Sequence, residues 1–250
     1  MNSTTQQMLA RGSIRKFDSS KSVSKELLEH LLSAMLQAPS YINGQQFSVI
    51  VVQDPVQKEK IYEYTMPSSG VGMNFIRQAP VFLIFVMDFN KIETAMKIDN
   101  AEIKITDSIE SLLIGTVDIG ILAEAITVAA ESHGLGTTIV GAIRKCSEQL
   151  IKDFNLPEKT FPIIGLSLGY PAENVFPKVN PRLPLFGIIH YDKYDSKGFS
   201  NVLADYNETM KNVYVQRGID LTWTGLLSKY YSKPINKDLL EVYKKQGFNF

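Results

Sequence analysis

Apolar residues recur at helical spacing early in the chain, at Leu27, Leu28, Leu31, Leu32, Met35 and Leu36, between a serine at 24 and a proline at 39. This pattern predicts a helix over residues 25–37, capped by Ser24 and stopped ahead of Pro39. Residues 47–52 read as a strand, and Asp54-Pro55 opens a short helix over 55–64. Residues 81–87 form an unbroken apolar run rich in Phe, Ile and Val, suited to a strand covered on both faces. Residues 137–143 and 161–168 read the same way, with a short helix over 147–154 between them that ends at Asn155 and Pro157. A sheet of four or five strands with helices on both faces follows, in an α+β or α/β arrangement.

The longest apolar stretch, residues 112–130, contains Asp118 and Glu124, each costly in hydrocarbon without a partner, so a membrane span is rejected. The pattern instead predicts a helix starting near Thr106 with Ile109, Leu112, Leu113, Thr116, Val117, Gly120 and Ile121 along one face. At roughly 28 residues it would be about 42 Å long, which favours burial against a second subunit. Past Pro184 the strand signals fade and Tyr, Asn and Lys become frequent. Helices are expected over 200–216, 223–231 and 236–246, as an extension packed on the main body rather than an independent domain.

Composition narrows the field. The chain has 250 residues, 44% of them hydrophobic, with 26 basic and 26 acidic side chains, enough for a substantial core in an ordinary globular protein. A balanced charge argues against a nucleic-acid binder. The N-terminal residues lack the features of a secretory signal and Cys146 is the single cysteine, so no internal disulfide forms and a cytoplasmic location is expected. One cysteine and three scattered histidines, His30, His133 and His190, argue against a zinc site.

Candidate chemistry sits in five places. Arg11-Gly12-Ser13-Ile14-Arg15-Lys16-Phe17 gathers three cations, which is either a solvated loop or an anion site for a group such as a phosphate. The loop Ala38-Pro39-Ser40-Tyr41-Ile42-Asn43-Gly44-Gln45-Gln46 is denser in hydrogen-bonding side chains than a helix-to-strand turn needs. In His133-Gly134-Leu135-Gly136 the glycines suit a helix C-cap, whereas Gly141, closing a strand, suggests a backbone N–H offered to a ligand. Phe176-Pro177-Lys178-Val179-Asn180-Pro181-Arg182-Leu183-Pro184 is either a proline-rich exit or a rigid loop whose Lys178 and Arg182 complete an anion site with Arg11, Ser13 and Arg15. Arg217, at the end of a helix, is ordinarily a helix-dipole partner.

Ser13-Ile14-Arg15, Ala38-Pro39-Ser40 with Asn43-Gly44-Gln45, Gly134-Leu135-Gly136 with Val140-Gly141-Ala142, Gly165-Leu166-Ser167-Leu168-Gly169-Tyr170-Pro171 and Pro181-Arg182-Leu183-Pro184 occur in this order. In order and spacing the chain resembles the FMN-dependent nitroreductase superfamily, and within it the NADPH-dependent nitroreductase and flavin reductase branch. The resemblance implies an α+β fold with a central, mostly antiparallel sheet of four or five strands flanked by helices, a long interface helix, and a homodimer with FMN at the subunit interface. It also implies an FMN-binding core over residues 1–184 and a C-terminal helical extension over 185–250, packed on the core and the partner subunit.

By position, the resemblance places Arg11, Ser13, Arg15, Lys178 and Arg182 on the FMN phosphate, and Ser40, Tyr41 and Gln45 on the ring or ribityl chain. Gly141, flanked by Val140 and Ala142, would offer its N–H to flavin N5. Gly72, Met73 and Asn74 would lie along the pyrimidine side, and Arg217 would meet the 2′-phosphate of NADPH. The chain departs from the branch at Arg11 and Gly12, where relatives often carry His then Arg, and in the wider spacing of Lys178 and Arg182. Asp220 stands where further basic residues follow in NADPH-specific members, which leaves NADPH, NADH or both as donor. The implied activity is NAD(P)H-dependent, ping-pong hydride transfer through FMN to nitroaromatics, quinones, azo compounds or free flavin. A flavin-binding module with little turnover and a phosphate-ligand-binding protein without flavin are the alternatives.

Overall fold

The computed structural model describes residues 3–67 and 72–250. Four strands, β1 (Phe47–Val52), β2 (Val81–Asp88), β3 (Gly136–Val140) and β4 (Thr160–Gly169), form one sheet in the order β1-β2-β4-β3. Every pairing is antiparallel, with Ile50 opposite Ile84, Ile84 opposite Gly165, and Val140 opposite Gly165 on the other side of β4. All eight residues of β2 are buried, as its unbroken apolar run predicts. The pleat divides them: Val81, Leu83, Phe85 and Met87 join one apolar cluster, and Phe82, Ile84 and Val86 join another.

The first cluster is closed by α2 (Lys25–Met35) and α6 (Ile109–Ser132), and the second by α3 (Pro55–Thr65), α4 (Phe75–Gln78) and α7 (Ser147–Asp153). Local chemistry sets the helix ends. Ser24 accepts a hydrogen bond from the Leu27 N–H at the start of α2, Asp54 accepts one from Val56 ahead of Pro55 in α3, and Ser108 accepts one from Glu110 in α6. Leu28, Leu31 and Met35 are the buried face of α2. Burying each such side chain contributes about 1.5–3 kcal/mol. Two elements carry no clear periodic signal in the sequence: α1 (Ser3–Ala10), which has no buried residue, and α5 (Asn90–Met96).

Helix α6 has 24 residues, shorter than the sequence suggests, because Ile105–Asp107 form a separate 3-10 turn and Ser108 then caps the helix. It is two-faced within the chain. Ser111, Gly115, Asp118, Ile119, Leu122, Ala123 and Ile126 face inward. Ile109, Leu113, Val117 and Ile121, spaced four apart, form an exposed apolar stripe. It is also the one described helix long and apolar enough to cross a membrane, yet its inward face packs in the sheet core with Asp118 hydrogen-bonded there. The helix ends with Gly134 at φ +74° and the Leu135 N–H donating to Ala130, the left-handed cap that its glycine anticipates.

The strand expected over 137–143 stops at Val140, where Gly141–Cys146 turn into a 3-10 helix that drives Ile143 and Cys146 into the second cluster. The Cys146 thiol is pushed up to about 11 by burial, so it is a packing group.

The chain forms two compact units, residues 1–178 with 238–250, and residues 179–237. The tail α10 (Leu239–Lys245), expected in the extension, lies in the first unit because its aromatics fill that core. Tyr243 stacks on Phe161 with ring centroids 3.8 Å apart, and Phe248 is fully buried. In the second unit, α8 (Phe199–Gln216) and α9 (Trp223–Tyr231) are joined by Tyr206 edge-on to Trp223 and by Asn207 Oδ1, which accepts from the Thr224 N–H.

Candidate functional site

The basic run is laid down as extended chain beside β3. The Ile14 N–H donates to the Thr137 carbonyl at 2.9 Å, Thr138 Oγ1 donates to the Ile14 carbonyl, and Phe17 bridges to Pro171. Ile14 is buried, leaving Ser13 half-buried and Arg15 exposed on either side of it. Gly12 brings Lys178 to this segment: a Cβ there would stand 3.0 Å from the backbone nitrogen and oxygen of Lys178. Among the described residues no carboxylate pairs with Arg15 or Lys178.

Arg11 is turned inward instead. Its Nε lies 3.9 Å from Glu131 Oε1, too far for a hydrogen bond, and is buried without a hydrogen-bond partner. Burial pushes the Glu131 carboxyl up, while the Arg11 charge pulls it down. A cavity of about 340 Å³ is found elsewhere along α6; the one at Arg11 is smaller, about 220 Å³, and Gly12, Glu131, Gly134, Gly136 and Pro177 share its lining. A buried Nε with no hydrogen-bond partner on Arg11, on the same chain segment as Arg15 and with Lys178 brought to that segment at Gly12, is donor chemistry that suits a phosphate.

The loop after α2 is strained. Ile42, Asn43 and Gln45 have φ of 48°, 55° and 52°. For β-branched Ile42, which is 83% exposed, this is an uncommon conformation. Ser40 Oγ accepts from the Gln45 N–H at 3.1 Å, and Gln45 Nε2 donates to the Asn43 carbonyl at 3.2 Å. The Tyr41 N–H reaches both carboxylate oxygens of Asp118 at 3.2 Å, and Gln46 Nε2 donates to Asp118 Oδ2. Pro39, Ser40, Tyr41, Leu113, Val117 and Asp118 line the larger groove.

Val140 is buried at the end of β3, and Gly141 and Ala142 open the 3-10 turn, where leading N–H groups have no partner within the helix. The Arg144 guanidinium lies across Gly141, 3.1 Å from where a Cβ would be, and donates to the Ile163 carbonyl at 2.9 Å. Met73 and Ala142 pack on the cluster that holds Val140, and Gly72 lies against the Tyr62 ring. Of the 66–75 loop, residues 68–71 lie outside the described residues.

In the second unit, Arg182 Nη1 donates to the Asn180 carbonyl at 2.8 Å. Arg217 donates to Asn180 Oδ1 at 2.6 Å and to the Val179 carbonyl at 3.4 Å, so its guanidinium is tethered to the 179–180 segment rather than free at a helix end. Two residues that shape these places, Glu131 and Arg144, are not singled out by the sequence pattern. Asp118 is marked there only as a charge in need of a partner.

A four-stranded antiparallel sheet with helices on both faces, a basic segment laid beside β3 and a strained polar loop define an α+β protein. The chain belongs to the nitroreductase family: the family's description, "Nitroreductase family", matches residues 8–70 and 67–170, and "Nitroreductase family, C-terminal domain" matches residues 180–250. It is similar to FMN reductase [NAD(P)H] of Bacillus subtilis, 36% identical across 99% of this chain and 98% of that one. It is 32% identical to the Cr(VI) reductase of a Pseudomonas species, over 95% of this chain and 96% of that protein. Among solved structures it is similar to NfrA2 of B. megaterium, with a TM-score of 0.93 and 35% identity over 100% and 99% of the two chains. The NADPH:FMN oxidoreductase of Vibrio harveyi, complexed with NAD+, superposes with a TM-score of 0.86 at 27% identity, over 99% of each chain.

Proposed function

We propose that the protein is an NAD(P)H-dependent FMN oxidoreductase of nitroreductase or flavin reductase type. The observation that carries this reading is the set of cations that the contact of Gly12 with Lys178 gathers: Arg15 and Lys178, without carboxylate partners among the described residues, and Arg11 with a buried, unsatisfied Nε. The names and lengthwise match of the relatives support it over a phosphate-binding protein without flavin.

In this reading Arg11, Ser13, Arg15 and Lys178 bind the FMN phosphate, and charge-assisted hydrogen bonds from the guanidinium groups fix its position. Ser40, Tyr41 and Gln45 present polar atoms to the ribityl chain and ring. Met73, Val140 and Ala142 supply apolar contact, and the Gly141 N–H at the head of its turn donates toward flavin N5. When bound, FMN supplies the two-electron hydride chemistry. The protein's own task is to orient the ring and leave one face open, first for NAD(P)H and then for an acceptor, so ping-pong kinetics follow. Nitroaromatics, quinones, azo compounds and free flavin are the acceptor classes that such an open face admits. Arg217 meets the 2′-phosphate of NADPH.

The exposed stripe of Ile109, Leu113, Val117 and Ile121 is the contact of a homodimer, because four aligned apolar side chains on one helix face are a patch that a second copy would cover. The reading is tested by FMN retention. Arg15→Ala, whose exposed side chain has no ion pair to lose, is expected to weaken FMN binding by about 10-fold or more with the apoprotein melting unchanged. Equal FMN affinity in variant and wild type would remove Arg15 from the site.

A further inference from the structure

The loop over 41–46 is held at both ends by one buried carboxylate. Asp118, 3% exposed on α6, receives the Tyr41 N–H at the start of the loop and the Gln46 side-chain amide at its end. Between these anchors three non-glycine residues, Ile42, Asn43 and Gln45, stand in the left-handed region. A left-handed conformation, above all at β-branched Ile42, persists only where its surroundings enforce it. Packing does not enforce it here, since Tyr41 and Ile42 are exposed. Hydrogen bonds do: Ser40 Oγ and the Asn43 carbonyl accept from Gln45 inside the loop, and the desolvated carboxylate, which needs its two donors, fixes where the loop begins and ends.

We propose that Asp118 is a positioning residue that clasps the two ends of the 41–46 loop and so sets the shape in which Ser40, Tyr41 and Gln45 meet the flavin. The inference rests on the FMN reading above. Burial pushes the Asp118 carboxyl up while the Tyr41 N–H pulls it down, as expected of a carboxylate that depends on its donors. The clasp joins residues far apart in sequence: Tyr41 and Gln46 are 77 and 72 positions from Asp118.

The test compares wild type, Asp118→Leu and Asp118→Asn. Leucine keeps the volume and removes a buried charge, a change that cores often tolerate. Asparagine keeps an acceptor for the Tyr41 N–H. Three quantities are measured: thermal melting of the apoprotein, hydrogen exchange of the amides of residues 41–45 in the apoprotein, and the FMN dissociation constant by fluorescence titration. The expected result is a folded Asp118→Leu whose loop amides exchange about 10-fold faster or more and whose FMN affinity falls by a similar factor, with Asp118→Asn restoring most of both. A folded Asp118→Leu that binds FMN as wild type does overturns the proposal, as does a lowered melting temperature with loop exchange and FMN affinity unchanged. Should Asp118→Leu not fold, Gln46→Leu opens one end of the clasp and is held to the same outcomes. Wild-type protein that takes up no FMN refutes the FMN reading instead, and with it the proposed consequence for flavin; exchange at residues 41–45 then shows separately whether the clasp itself exists.

Discussion

A Cβ built on Gly12 would lie 3.0 Å from both the backbone nitrogen and the carbonyl oxygen of Lys178. The glycine is therefore what allows the two basic segments, 166 positions apart by their numbers 12 and 178, to touch backbone to backbone. Gly12→Ala must push one segment away, and overpacking of this kind costs about 1–3 kcal/mol. The expected result is weaker FMN binding, read by fluorescence titration, together with a melting temperature lowered by about 2–4 °C per kcal/mol. An unchanged FMN affinity would show that Lys178 needs no such placement.

Glu131 makes stability depend on pH. Its carboxyl is raised by burial, so between its unfolded and folded values the native state binds more protons than the unfolded state. Stability contributed by this group therefore rises as pH falls through that window, which lies above the ordinary carboxylate range, and is lost as pH rises through the folded value. Glu131→Gln should remove this contribution, so that denaturation midpoints of wild type and variant diverge with increasing pH in the variant's favour. Parallel midpoint curves across pH would contradict the assignment.

Much of the architecture is readable locally. Ser24 and Pro39 bracket α2, and the seven-residue apolar run 81–87 of β2 has no other use than a strand covered on both faces. Three features resist such reading because their causes are distant. Just past the end of β3 at Val140, Arg144 crosses Gly141 to reach Ile163, a contact that no apolar run reveals. The two faces of α6 look alike in sequence, since Leu113 and Val117 are as apolar as Ile119 and Leu122 although only the latter pair faces the sheet. The tail belongs to the first unit because Tyr243 finds Phe161, a contact invisible from residues 236–246. At the site, Arg15 and Lys178 are candidates from charge alone, whereas the hydrogen bonds of Asp118 go to partners more than seventy positions away.

The apolar stripe on α6 gives a test of assembly. Replacing Leu113 and Val117 together by Asp places two charges in the proposed contact without touching the inward face of the helix. Sedimentation should then find a monomer where the wild type is a dimer, since burying unpaired charges is strongly unfavourable. A dimer that survives both substitutions would move the interface elsewhere.

Arg217 is tethered by Asn180, so an anion bound at its guanidinium, as proposed, would cost little further side-chain freedom. Arg217→Ala should raise the KM for NADPH by about 10-fold or more, leave the KM for NADH nearly unchanged, and keep flavin content normal. Equal KM values for NADPH in the two proteins would remove this role.

The central claim is tested most directly by anaerobic stopped-flow reduction of the FMN-loaded protein. Mixing with NADPH or NADH should bleach the flavin band near ~450 nm in a phase whose rate rises with donor concentration, and a second mixing with a quinone should restore it. Purified protein that takes up no FMN, or a loaded protein that neither donor bleaches, would contradict it.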